Sequence, residues 1–110
     1  MDSVEQWRAL IKRLLTEHAE LPYNEKDVDS QLVFDGERDS YLLVVVGWRG
    51  SERLHGIHLH LDIREGKIWI QYDGTEHGIA RALVDAGVPK DRIVLGFKPP
   101  RLRQYTGYAA

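Results

Sequence analysis

The chain has 110 residues and no cysteine, with 29% charged and 43% hydrophobic residues. That length fits one domain and leaves no room for a second core; without Cys there is no disulfide framework, thiolate nucleophile or Cys-based zinc site. The net charge of −2, from 15 Lys+Arg against 17 Asp+Glu, speaks against charge-driven coating of DNA and leaves room only for a local basic patch. The longest apolar run, Tyr41 to Val46, falls far short of the ~20 residues of a membrane span. The first residues, with Asp2 and Glu5, carry no signal-peptide pattern. The expectation is a single soluble, cytoplasmic domain over residues 1–110.

Residues 3–20 read as a helix. Ser3 is its expected cap, with Gln6 three residues on as in a capping box. Val4, Trp7, Ile11, Leu14 and Leu15 recur at helical spacing and form one apolar face. Pro22 is expected to end the helix, and residues 23–29 read as a polar loop.

Four strands are predicted next: 30–35, 40–49, 54–64 and 67–73. The second is apolar on both faces, as expected of a central strand covered on both sides. The third alternates Ile57, Leu59, Leu61 and Ile63 against His58, His60, Asp62 and Arg64. Glu65-Gly66 fits a two-residue hairpin turn that pairs Ile63 with Ile68, Leu61 with Ile70 and Leu59 with Tyr72. A similar turn at Gly50-Ser51 sets Leu42 against Leu59, Val44 against Ile57, Tyr41 against His60 and Leu43 against His58. A one-residue bulge would break that second pairing.

Asp73-Gly74-Thr75-Glu76 then opens a second helix, with Thr75 as cap and Gly87 as its left-handed end. Residues 93–97 form a fifth strand, stopped by Pro99-Pro100. The expected order is α-β-β-β-β-α-β, an α+β domain with a mainly antiparallel sheet of about five strands.

Three stretches resemble one family together: "YLLVVVGW" with "LHLDIREGKIWIQYDGTE", then "GIARALVDAGVPKDRIVLGFKPP", then "RQYTGYA". They are similar to the XisI family, the fdxN element excision controlling factors of cyanobacteria. The likeness runs from Trp7 to the tail. It implies an accessory factor for programmed DNA rearrangement, needed when a site-specific recombinase excises an element during heterocyst differentiation. It also implies a companion, XisH, whose fold resembles restriction-type nucleases. No catalytic residues come with the resemblance.

Among local patterns, His58-Leu-His60-Leu-Asp62 is the sharpest. Strict alternation places both imidazoles and the carboxylate on one strand face, neighbours about 6.5–7 Å apart. His-x-His on a strand can hold zinc or another divalent metal, and the pattern resembles half of the H-x-H-x-D motif of metallo-β-lactamase-type hydrolases. The chain is too short for that fold. A polar outer sheet face, or a protein-contact face, explains the same residues without a cofactor.

On the predicted pairing, Tyr41, Leu43, Val45 and Trp69 share that face with His58, His60 and Gln71. Large apolar groups among polar ones mark a surface that something covers: the tail, a second copy, or a partner. Asp73-Gly74-Thr75-Glu76 reads more simply as a strand-to-helix turn than as a carboxylate pair. In the tail, Lys98, Arg101 and Arg103 with Tyr105 are the best candidates for nucleic-acid contact, or else a docked structural tail or a partner contact.

Three functions are therefore expected, in order. The first is a non-enzymatic accessory protein that binds an XisH-type companion through Tyr41, His60 and Trp69, or through Arg101, Arg103 and Tyr105. It needs no cofactor, touches DNA through the partner, and leaves homo-oligomerisation open. The second is a small metal-dependent hydrolase or nuclease subunit using His58, His60 and Asp62. The third is direct DNA binding by the basic tail.

Overall fold

The computed structural model describes residues 3–20 and 27–110. The element order is α1 (Val4–Ala19), β1 (Val28–Asp35), β2 (Ser40–Arg49), β3 (Glu52–Arg64), β4 (Lys67–Asp73), α2 (Ile79–Asp85), a 3-10 turn (Lys90–Arg92), β5 (Ile93–Leu95) and α3 (Pro100–Arg103). The strands form one sheet in sequence order, β1-β2-β3-β4-β5. The first three pairings are antiparallel and β4–β5 is parallel. The α+β class and the mainly antiparallel sheet are as expected; α3 is an addition.

The apolar stripe of α1 sits on one face of the sheet. Trp7, Leu10, Ile11, Leu14 and Leu15 meet Tyr41, Leu43, Leu59, Leu61, Ile63, Ile68 and Ile70. Helix α2 adds Ile79 and Leu83 to the same core, as a helix joining two parallel strands must. Ser3 occupies the cap position of α1 but makes no side-chain cap bond, so the capping box does not form. The helix ends at Ala19; Pro22 and most of the 23–29 loop lie outside the described residues.

Asp39 fastens α1 to the β1–β2 hairpin. Its backbone sits at φ 54°, a region Asp tolerates better than most residues. Its carboxylate accepts a two-pronged pair from Arg8, at 2.7 and 2.9 Å, and a third bond from the Tyr41 hydroxyl at 2.8 Å. Its carbonyl accepts the Ile63 N–H at 2.9 Å. The Arg8 guanidinium holds the Asp39 carboxyl below its usual range. Burial, and then the Asp39 contact, push the Tyr41 hydroxyl up to about 12.

Two register shifts correct the predicted pairing. The β3–β4 turn forms as expected, with Glu65 and Gly66 both at positive φ, and Ile63 faces Ile68 and Leu61 faces Ile70. A shift between His60 and Leu61 then sets His60 against Tyr72 and Leu59 against Asp73. Between β2 and β3, Val44 faces Ile57 as predicted, but a second shift leaves His58 unpaired. Beyond it Leu43 faces Leu59, Leu42 faces His60 and Tyr41 faces Leu61.

One extra residue inverts which side chains point to which face. Tyr41 and Leu43 therefore lie fully buried under α1 rather than beside His60.

The second helix also starts later than expected. Gly78, not Thr75, stands at its cap position, and the Asp73 carboxylate braces the turn before it: one oxygen accepts the Ile79 N–H at 2.7 Å and the other accepts from Thr75. Gly87 ends it at φ 106°, as expected.

Candidate functional site

The face of the sheet away from α1 and α2 is built in cross-strand rows. One runs Asp35–Ser40–Asp62–Trp69–Val94, and the next Val33–Leu42–His60–Tyr72. Then come Gln31–Val44–Ile57 and Asp29–Val46–His55, with Trp48 facing Arg53 at the end. These rows differ in what covers them.

The Trp69–Val94 end of the first row is covered by the C-terminal segment. The Arg103 guanidinium lies 5.2 Å from the Trp69 ring centre and donates to the carbonyls of Lys98 and Gly96. Val94 is buried, and Ala109 bridges to it in parallel. The Trp69 indole N–H is buried without a hydrogen-bond partner among the described residues.

In the same row sits Asp62, the buried charged residue of the described chain. It accepts from His60 Nε2 at 2.9 Å and from Gln71 at 3.1 Å, and Arg64 lies 3.3 Å away. Burial alone would raise its pKa; hydrogen bonds from Ser40, Gln71 and His60 outweigh that and lower it. The carboxylate thus holds the His60 ring in one orientation through its Nε2.

His58 is not part of this cluster. As the bulge residue it turns to the helix side, into an open groove of about 770 Å³ beside His18, Gly74, His77 and Arg81. The His58-His60-Asp62 triplet is therefore split across the sheet. Among the described residues no three His, Cys, Asp or Glu side chains converge on a possible metal position. The strict alternation that the metal-site reading of the triplet assumed is corrected: the bulge interrupts it and puts His58 on the side opposite His60 and Asp62.

The remaining rows are open and apolar. Val33, Ile57, Tyr72 and Trp48 are each close to half exposed, at 49, 43, 51 and 48%. Leu42 and Val44 lie between them, half-buried, along a shallow groove of about 580 Å³ that His55, Gly56, Ile57 and Tyr72 complete. Arg53 stacks on Trp48 at 5.1 Å. This is a contiguous apolar face bordered by polar groups, the pattern of a surface that binds another protein.

The sequence-based candidates are thus redistributed. His60 and Trp69 lie on the outer face, His60 at the border of the open patch and Trp69 beneath Arg103. Tyr41 is in the core. Arg103 is engaged within the chain, while Arg101 and Tyr105 are exposed, Tyr105 at 78%. Leu42, Val44, Ile57 and Tyr72 were missed as surface candidates, although the second apolar face of β2 was the signal for them.

The quoted motifs also find a physical explanation. A methyl group on Gly47 would run into the carbonyl of Asp27 and Cα of Val28, and one on Gly96 would lie 2.8 Å from Gln71 and 3.0 Å from the Ile70 carbonyl. Both glycines permit close backbone approach.

The family model described as XisI protein matches residues 1–110. The chain belongs to the XisI family. A crystal structure of a XisI-like protein from Anabaena variabilis is 41% identical, with a TM-score of 0.92 over 98% of this chain and 99% of that one. The crystal structure of fdxN element excision controlling factor XisI from Anabaena variabilis is 36% identical, with a TM-score of 0.80 over 94% of each chain. No curated protein matches. Among the described residues no helix is long and apolar enough to cross a membrane.

Proposed function

We propose that this XisI-family chain is a non-enzymatic controlling factor in a DNA element excision system, and that it works by binding a companion protein. The excision role follows the name of its 36%-identical structural relative. The single observation that favours a binding mechanism is the open apolar face of Val33, Leu42, Val44, Ile57 and Tyr72. Aromatic and aliphatic side chains in a shallow groove, ringed by His55, His60 and Arg53, supply the desolvated centre and polar rim of a protein interface.

The companion expected from the family resemblance is an XisH-type, nuclease-like protein, with DNA reached through it. The outer face replaces Tyr41 as the proposed contact. Arg101 and Tyr105 on the tail form the competing one.

The test is co-expression with the XisH-type protein of the same locus, followed by pull-down and the mass of the complex in solution. Ile57→Asp and Tyr72→Lys are expected to abolish the complex while leaving the circular dichroism spectrum native. Arg101→Glu with Tyr105→Ala is expected to leave it intact. The reverse pattern would move the contact to the tail; separate elution of the wild-type proteins would remove the binding mechanism.

A further inference from the structure

The two edges of the sheet are finished differently. At the β5 edge the tail returns and Ala109 pairs with Val94, its N–H donating to the Ile93 carbonyl at 2.8 Å. At the other edge β1 runs eight residues in uninterrupted register with β2. It contains no proline, lysine or bulge; of the usual means of blocking an exposed edge it has only two charged residues, Asp29 and Asp35, flanking its apolar centre. Three consecutive apolar residues stand exposed on it: Leu32 at 38%, Val33 at 49% and Phe34 at 37%.

We propose that β1 is a homodimerisation edge, pairing antiparallel with β1 of a second copy about a twofold axis through Val33. The argument for a second copy is the self-complementarity of the strand in that register. Val33 faces Val33 of the other copy, Leu32 faces Phe34 twice, and Gln31 faces Asp35 twice. Within the five paired positions, 31–35, each apolar residue meets an apolar one and the Asp35 carboxylate meets an amide donor; Val28, Asp29 and Ser30 lie outside the paired stretch.

Neighbouring registers fail. An axis through Leu32 opposes Asp29 to Asp35, two like charges. An axis through Phe34 sets Val33 against Asp35. Only a shift that keeps side chains on their own face is allowed across a twofold normal to the sheet. Beyond Asp35 the chain leaves the strand into the turn, where Asp35 accepts from the Glu37 and Arg38 N–H groups.

Such a dimer has one continuous ten-stranded sheet, with both copies of α1 on one side and both open faces on the other. The pairing goes beyond the proposed companion binding and does not depend on it. It would double the width of the apolar face and present it twice.

Because the chain has no cysteine, the register can be read by single-cysteine cross-linking. Val33→Cys is expected to form a disulfide-linked dimer on mild oxidation, since opposed Cβ atoms lie about 4.5–5.5 Å apart. Gln31→Cys is expected not to, since its own copy sits four residues along the partner strand, about 13 Å away. In sedimentation equilibrium the wild type should reach twice its 12.7 kDa mass. Val33→Asp and Val33→Lys should each be monomeric, and their equimolar mixture should restore the dimer. A natively folded monomer up to near-millimolar concentration, or cross-linking through Gln31→Cys and not Val33→Cys, would overturn the proposal. If the charged variants fail to fold, the cysteine pair still decides it.

Discussion

The central strand β2 is apolar on both faces, and the two sides of the sheet it belongs to have opposite fates. On the helix side, Tyr41, Leu43, Leu59, Leu61 and Ile70 are fully buried. On the far side, Val33, Ile57 and Tyr72 remain about half exposed, and among the described residues the C-terminal segment covers the end of the row at Trp69 and Val94. Apolar side chains on the first face hold the domain together; those on the second contribute little to its stability and are free to serve binding.

The largest expected effects break this contrast directly. Leu61→Ala should cost about 2–5 kcal/mol of unfolding free energy, as buried leucines do. Ile57→Ala, one ladder row from the same core, should stay within about 1 kcal/mol while weakening the companion complex. Chemical denaturation of the two variants checks the pair. Equal losses would mean that the far face is as important to the fold as the near one.

Next in size is Asp62, where the covered row meets the open one. Asp62→Ala leaves His60, Gln71 and Ser40 without their common acceptor in a buried position, and should cost about 2 kcal/mol. Asp62→Asn keeps the shape and one acceptor and should cost less. Loss of the fixed His60 orientation can be followed through its ring NMR signals. The smaller Arg103→Ala effect, about 1 kcal/mol, should appear as faster hydrogen exchange at Ala109 and Ile93 before it appears in the global midpoint, because Arg103 clamps the tail over Trp69.

Much of this was legible in the chain. The amphipathic stripe of α1, the Glu65-Gly66 turn and the alternation of β3 fixed the element order and the helix-side core. The resemblance of its motifs identified the family. What could not be read was the phase of the sheet. His58 has the same polar character as His60, so nothing in the alternation marks it as the residue squeezed out of the ladder. That one bulge moved Tyr41 from the expected contact face into the core, moved Ile57 out to the surface, and divided the histidines between the two sides. The tail was ambiguous for a different reason: its cations suit either DNA or an internal clamp, and the choice rests on Trp69 lying within reach of Arg103.

The smallest effect expected is a pH dependence from the displaced histidine, and its sign separates the two sides of the sheet again. Burial, and then the nearby His18, lower the pKa of His58, while Asp73 works in the opposite direction. His18 donates from Nδ1 to the Leu14 carbonyl at 2.9 Å, which keeps its ring at the end of α1. His77, Glu76, Arg81 and Asp85 line the same groove. With its folded pKa below the unfolded one, His58 binds its proton more readily in the unfolded chain. Stability from this group is fully present above the unfolded value of 6.5 and declines as pH falls below it. The slope is less than one proton, under about 1.4 kcal/mol per pH unit. Denaturation at pH 7.5 and 5.5 should show this decline, and His58→Gln should remove part of it. His60→Gln, on the opposite face beside Asp62, should leave that part in place. If His60→Gln flattens the profile and His58→Gln does not, the buried pH-sensitive group lies on the outer face, and the groove beside α1 has no role in the pH response.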